Sequence, residues 1–201
     1  YQAGINGSLS GIATQTVAYA ESGSSVFAVA ADGYAFTHWS DGRTDNPRID
    51  LNVIDHINAT AHFQVLTFEQ IYATWLGRYP ALGTATNLTD HFDADGMNNL
   101  VEFALGGNPT TDDATHYLPT YEFNHDQGSN YLHYIYRRSL TDIGVTYRVV
   151  SGSDLVSTSI TNATEEAGVS GDLGDGFESV TNRVPIDTAP QQFMQLNLQK
   201  D

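Results

Sequence analysis

One short acidic segment, residues 93–102, carries side chains whose types and spacing suit a metal ion. Aligned with the twelve-residue calcium loop, Asp93, Asp95 and Glu102 occupy positions three, five and twelve, where carboxylates bind the ion. Met97 would offer its backbone carbonyl at position seven, and Asn99 stands at position nine. The segment therefore predicts a structural calcium site with these five residues as ligands.

Two further positions decide how well this loop could bind calcium. Gly96 stands at position six, where the loop needs a sharp turn that glycine adopts readily. His91 stands at position one in place of Asp, and imidazole is a poor ligand for calcium. Asp90 could replace it only through a shift of register. We therefore expect weak affinity, and the alternative interpretation is an Asp- and Asn-rich turn that caps a helix without an ion.

No other group of residues has the spacing of a catalytic or cofactor site. The seven histidines form neither a His-x-x-x-His nor a His-x-His pair. A Gly-x-Ser-x-Gly turn and a phosphate-binding glycine loop are also missing. The adjacent carboxylates Asp112 and Asp113 are interpreted as surface charge, since neighbouring side chains tend to diverge. The sequence thus predicts no catalytic residue, no cofactor-binding residue and no enzymatic activity.

The predicted calcium loop lies between two predicted helices. Apolar residues recur at helical spacing from Phe68 to Tyr79, which predicts a helix over residues 67–79 that ends at Pro80. A shorter helix is predicted over residues 98–105, ahead of the glycine at position 106. A bound ion would then fix the orientation of one helix relative to the other.

The remaining sequence predicts β structure on both sides of the helices. In residues 1–64, short β-branched and aromatic runs alternate with Gly, Ser and Asn, which is typical of short strands and tight turns. From residue 119 onward the period returns to two and predicts an antiparallel β-sandwich, with residues 160–176 as a long exposed loop. The predicted fold class is mainly β, divided into a β-rich repeat module (1–64), a helix-loop-helix connector (65–118) and a β-sandwich module (119–201).

Aromatic residues could build a core or a surface for stacking sugars. Alternation places Tyr131 on the opposite face of its strand from Tyr134 and Tyr136, so at least one set must face the core. Trp39 and Trp75 are expected in the core, because large aromatic side chains dominate core burial. Exposed tyrosines would leave carbohydrate binding open.

Composition excludes several classes of partner. The 24 acidic against eight basic residues give a net charge of −16, and binding to nucleic acid needs clustered Lys and Arg. Such a solvated acidic surface suits a saline extracellular habitat. The chain has no cysteine for disulfides or thiolate metal sites, and its apolar runs are too short to span a membrane. Because Tyr1 cannot be a translational start, we expect a piece of a longer precursor.

Turn and aromatic residues follow a family-specific pattern in residues 1–64: Ala3-Gly4, Asn6-Gly7-Ser8, Gly33-Tyr34, Phe36, Trp39-Ser40-Asp41-Gly42, Asn46-Pro47-Arg48, Thr60-Ala61 and Phe63. With this pattern the segment resembles the divergent B-repeat of internalin-type bacterial surface proteins. The resemblance implies a small β-rich extracellular spacer without chemistry of its own.

A second pattern extends over residues 66–201. It begins with the helix that carries Trp75 and an acidic loop that runs into Asn99-Leu100 and Glu102 to Asn108-Pro109. It continues with the strand motif Tyr136-Arg137-Arg138, the motif Ser153-Asp154-Leu155 and a last strand with Phe193. It resembles a C-terminal region that recurs in large secreted bacterial proteins. That region combines a calcium-like loop with a β-sandwich.

These observations predict a non-catalytic bacterial spacer or display module, stabilised by calcium, at the C-terminal end of a larger secreted or cell-surface protein. The expected partners are the upstream domains of the same precursor, in a structural or adhesion role. Two alternatives stay open: a carbohydrate-binding accessory to a polysaccharide-degrading enzyme, which would contact glycans, and a self-associating subunit of a surface fibre. Neither nucleic acid nor a membrane span is expected.

Overall fold

The computed structural model describes residues 1–152, 161–165, 171–187 and 193–201. It divides the chain into two compact units, Tyr1–Thr67 and Phe68–Asp201. The first unit contains strands and no helix, and strands outnumber helices among the described residues of the second, which confirms the prediction of a mainly β chain. Within the described ranges, none of the helices has the length and apolar character needed to cross a membrane. The predicted boundaries of the three modules stay a prediction.

The first unit contains five short strands in two small sheets: β1 Gln2–Ala3, β2 Gly7–Gly11, β3 Val26–Ala30, β4 Tyr34–Trp39 and β5 Thr60–Val65. In one sheet β5 lies in the middle, parallel to β1 and antiparallel to β4. In the other, β2 and β3 pair antiparallel. The core of this unit surrounds Trp39, which is fully buried among Val26, Ala28, Ala59 and Ala61.

A buried ion-pair network lies beside Trp39. The guanidinium of Arg48 is 1% exposed and donates hydrogen bonds to both carboxylate oxygens of Asp50, at 2.8 and 3.0 Å, and of Asp41, at 2.9 and 2.7 Å. It also lies over the rings of Tyr1 and Trp39, 5.5 and 5.4 Å from their centroids. Burial alone would raise the pKa of Asp50, but hydrogen bonds from Arg48 and Tyr1 hold it below its ordinary value.

The second unit begins with helices and continues into two sheets. Its helices are α1 Phe68–Leu76, a 3₁₀ helix Pro80–Leu82, α2 Asn99–Leu105 and α3 Ala114–Tyr117. Its strands are β6 Thr120–Asp126, β7 Ser129–Ser139, β8 Val145–Gly152, β9 Thr161–Asn162, β10 Thr164–Glu165, β11 Gly171–Asp172, β12 Phe177–Pro185 and β13 Phe193–Lys200. Strands β9, β10 and β11 lie within residues 160–176, where a long exposed loop was predicted; residues 160 and 166–170 of that range lie outside the described residues.

The two sheets of the second unit pack face to face as the predicted sandwich. One sheet has the strand order β10-β12-β7-β6, with β11 also paired to β12, and the other has the order β13-β8-β9. Tyr136 of β7, Val180 of β12 and Val149 of β8 are buried together between them. This shared core makes the two sheets one packed layer pair.

Aromatic side chains join helix α2 to helix α1. Phe68, Tyr72 and Trp75 line the buried face of α1, and Phe103 of α2 meets all three rings edge-on, with centroids 5.4 to 5.7 Å apart. Each such pair adds about 0.5–1.5 kcal/mol beyond the area that it buries. Phe103 directly follows Glu102, so this aromatic cluster also fixes the segment that carries the predicted ligands.

The sandwich holds the other end of α2. The side chain of Arg137 in β7 donates a hydrogen bond to the carbonyl of Leu105 at 2.8 Å, and the Tyr147 hydroxyl of β8 donates one to the carbonyl of Ala104. Carbonyl groups in the last turn of a helix have no partner within the helix. These two contacts supply such partners and anchor α2 to both sheets.

Candidate metal centre

The predicted calcium loop folds into a closed turn that leads into α2. The N–H of Asn99 donates to the carbonyl of Asp90 at 3.0 Å, which closes the loop. Gly96 takes the left-handed conformation, with φ of 98°, at the position where a sharp turn was expected. At the start of α2, the side chain of Asn98 accepts a hydrogen bond from the N–H of Val101 at 3.0 Å.

Three predicted ligands come together in this turn. One carboxylate oxygen from each of Asp93, Asp95 and Glu102 lies within 4.8 Å of the other two. Calcium binds oxygens at about 2.3–2.6 Å, so two ligands of one ion can be up to roughly 5 Å apart. The spacing therefore fits calcium, and a set made of carboxylate oxygens favours hard cations over transition metals.

Glu102 is the most unusual side chain of this cluster. It is 1% exposed, and within the described residues neither of its carboxylate oxygens receives a hydrogen bond. Burial raises its pKa to about 8, with further contributions from the nearby carboxylates of Asp113, Asp95 and Asp93. A buried carboxylate surrounded by other acids is costly unless a cation compensates it.

The two aspartates have better-defined partners. One oxygen of Asp95 accepts from the N–H of Met97 at 2.8 Å, and the other accepts from the N–H groups of Asp113 and Ala114 at 3.3 and 3.0 Å. For Asp93, one oxygen receives a long 3.4 Å contact from the N–H of Asp95. Its other oxygen is buried and receives no hydrogen bond from the described part of the chain.

The other residues around the predicted loop have different surroundings. The amide of Asn99 donates to the carbonyls of Ala85 and Asn87, at 3.0 and 2.9 Å, so this side chain joins α2 to the preceding segment. Met97 is buried and its N–H donates to Asp95. His91 is exposed. Asp90, which could have replaced His91, instead accepts hydrogen bonds from the backbone and side chain of Asn87.

Asp113 belongs to the same acidic cluster, although the sequence suggested only surface charge. One of its oxygens accepts from the N–H of Asn108 at 3.1 Å, and the other is buried without a hydrogen bond from any described residue. Burial and the charges of Asp95 and Asp93 raise the pKa of Asp113. Neighbouring Asp112 is exposed. The two adjacent side chains do diverge, and Asp113 is the one that turns inward.

The remaining residues considered for binding are distributed over both units. The structure stacks His38 on His62 across β4 and β5, with ring centroids 4.8 Å apart, a pairing between strands that no local spacing signals. Tyr136 is buried in the sandwich core, and Tyr131 has the guanidinium of Arg183 over its ring at 4.5 Å. Trp39 and Trp75 are both buried, as expected.

Comparison with known proteins finds a family match within the first unit. Residues 1–66 match the family model of the divergent InlB B-repeat domain, which confirms the resemblance predicted from the sequence. The match covers about a third of the chain and indicates a bacterial surface-protein module. No curated protein and no solved structure is significantly similar to the chain.

Proposed function

We propose that this protein is a non-catalytic extracellular spacer and display module of a larger bacterial surface or secreted protein, with a calcium ion stabilising its second unit. The B-repeat match of residues 1–66 supports the spacer role. In that unit the charged groups beside the core are already used in ion pairs, because Arg48 binds Asp41 and Asp50. They therefore serve the fold.

The observation that carries the calcium proposal is the state of Glu102. Its carboxylate is buried, receives no hydrogen bond from the described residues and faces the oxygens of Asp93 and Asp95. A divalent cation would offset both the loss of hydration and the repulsion between the acids. Since the oxygens are dispersed in the unfolded chain, binding would stabilise the folded state.

An acid or base role for Glu102 is the enzymatic alternative, because a raised pKa beside other carboxylates is also found in active sites. Burial argues against it: only 1% of Glu102 is exposed, which leaves a substrate no route to the carboxylate. A cleft of about 530 Å³ does occur in the first unit, lined by residues such as Tyr1, Gln15, Tyr19 and His56. It does not include the acidic cluster.

Thermal melting with calcium and with a chelator tests the calcium proposal. At a calcium concentration a hundredfold above its dissociation constant, binding adds about 2.7 kcal/mol to the free energy of unfolding. We expect a higher melting temperature in calcium, no comparable effect of magnesium at equal concentration, and micromolar to millimolar affinity. Equal melting temperatures in saturating calcium and in chelator would contradict the proposal.

Carbohydrate binding is the second candidate, and an exposed aromatic pair favours it. Tyr121 and Phe123 on β6 are 71% and 72% exposed, with ring centroids 6.4 Å apart. Such exposed rings could stack against sugars, whereas Tyr136 is buried in the sandwich core. A glycan array would test this function: specific binding that disappears in the Tyr121→Ala, Phe123→Ala double variant supports it, and no binding by the unmodified chain excludes it for the sugars tested.

A further inference from the structure

The acidic loop lacks a carboxylate at its first position, and its local sequence does not replace it. His91 is exposed at that position, and the side chain of Asp90 accepts hydrogen bonds from Asn87. The calcium-loop pattern therefore supplies three clustered carboxylates, at positions three, five and twelve, and none at position one. Asp90 is not among the nearby carboxylates whose charges act on Glu102, whereas Asp113 is, so the better-placed fourth acidic group lies outside residues 90–102.

Asp113 is placed to supply that group. Its N–H and that of Ala114 donate to the second oxygen of Asp95, at 3.3 and 3.0 Å, so the two segments are hydrogen-bonded directly. The N–H of Asn108 holds one oxygen of Asp113 at 3.1 Å. The other oxygen, Oδ1, is buried and receives no hydrogen bond within the described chain.

A second observation, the state of Glu102, points to a ligand position in this acidic cluster. Glu102 is 1% exposed, and both of its oxygens are buried without a hydrogen bond from the described residues. A Cβ atom on Gly107 would lie 1.9 Å from one of these oxygens, so the backbone of residue 107 forms a wall behind the carboxylate. The nearby charge of Asp113 also contributes to the raised pKa of Glu102.

We propose that Asp113 is the fourth carboxylate of the cation site, and that its Oδ1 contacts the ion through one bound water. Asp113 lies outside the group of three carboxylates whose oxygens are within 4.8 Å of one another, which argues for an indirect contact. Calcium loops commonly bind one of their ligands in this way. The inference rests on the proposed calcium site.

This arrangement changes what the ion would hold together. A loop that binds calcium with its own residues fixes only the turn before α2. With Asp113 included, the ion also joins that turn to the segment after α2, which leads through α3 into β6. The site would then connect the helical part of the second unit to the start of its sandwich.

Calcium titration by isothermal calorimetry tests the proposal on the full chain, with Asp113→Asn compared with Asp112→Asn. Asn can still accept the hydrogen bond from Asn108 but lacks the charge. Removal of an outer-shell partner typically weakens metal affinity about 10–100-fold. We expect a loss of at least about tenfold for Asp113→Asn and less than about twofold for the exposed Asp112→Asn.

The outcomes separate the failure of this inference from the failure of the proposed function. Suppose that the unmodified chain binds calcium and that Glu102→Gln abolishes this binding. If Asp113→Asn then keeps full affinity, the proposed role of Asp113 is wrong and the calcium site stands. If the unmodified chain does not bind calcium, both are wrong. If Asp113→Asn lowers stability equally in calcium and in chelator at unchanged affinity, its role is purely structural and the inference is overturned.

Discussion

Replacing Glu102 with Gln should have opposite effects with and without calcium. In the calcium-free protein, the change removes a buried negative charge from a group of acids. In the calcium-bound protein, it removes a ligand. Few structural substitutions are expected to raise stability in one condition and lower it in the other, which makes this reversal specific to an ion site.

The structure sets the size of the calcium-free effect. The pKa of Glu102 is raised from 4.5 to about 8 in the folded chain. For an acid with a raised pKa, the folded state loses stability relative to the unfolded state as pH rises above the unfolded value. At about pH 7 this loss is up to roughly 3 kcal/mol, so Glu102→Gln should raise calcium-free stability by at most this amount, less the cost of burying an amide.

In calcium, the unmodified chain should become the more stable of the two proteins. The unmodified chain gains about 4.1 kcal/mol when calcium is a thousandfold above its dissociation constant, which exceeds the calcium-free advantage of the variant, and the variant gains almost nothing. Urea unfolding followed by circular dichroism, in chelator and in excess calcium, measures both differences. Glu21→Gln, which changes an exposed glutamate of the first unit, is the matched control and should behave like the unmodified chain.

Two results would refute this reasoning. A Glu102→Gln variant that is less stable than the unmodified chain in chelator would mean that the carboxylate has a favourable partner. A variant that keeps the full calcium response would mean that the ion binds elsewhere. Either result would reduce residues 93–102 to a turn that caps α2.

Further predictions concern the backbone behind Glu102 and the ion pairs of the first unit. Gly107→Ala should weaken calcium affinity about tenfold or more, because a Cβ at residue 107 would lie 1.9 Å from a carboxylate oxygen of Glu102. Gly77→Ala is the control: a Cβ there has no contact closer than 3.5 Å, so the calcium affinity measured by calorimetric titration should not change. Arg48→Met should destabilise the first unit by about 1–3 kcal/mol in urea unfolding, because it removes the hydrogen bonds to Asp50 and Asp41 while Arg43 still pairs with Asp50. Arg78→Met at an exposed site should be near neutral. Because the pKa of Asp50 is lowered in the folded chain, its ion pairs stabilise the first unit above the ordinary pKa of the carboxyl, and this stability is lost on acidification. The melting temperature of the first unit should therefore fall steeply below about pH 4. A melting temperature that does not change with pH in this range would contradict the assigned pairing.

Local sequence patterns predicted the features that depend on neighbouring residues. Helical spacing from Phe68 onward predicted α1, although the helix ends at Leu76 and not near Pro80. Gly77 follows directly, and glycine is a poor helix former, which explains the earlier end. The acidic spacing likewise predicted that Asp93, Asp95 and Glu102 would meet, because all three lie in one turn and the helix after it.

Features that depend on distant contacts escaped prediction. The N–H of Asp113 donates to the side chain of Asp95, 18 residues earlier in the chain. No sequence spacing rule relates a segment after α2 to the loop before it. In β12 the polar side chains of Thr181 and Asn182 are buried next to Val180, so the strand lacks the alternation by which strands are recognised. Gly42, with a φ of 87°, turns the chain just after β4, but β4 pairs with the distant β5 and not with the segment that follows the turn.

A crystal structure of the chain grown in calcium tests the central claim most directly. We predict one ion among Asp93, Asp95 and Glu102, with oxygens at about 2.3–2.6 Å and a water between the ion and Asp113. The anomalous signal of calcium would identify the ion. An ordered structure at saturating calcium, with these carboxylates sharing protons or waters and no ion between them, would contradict the account.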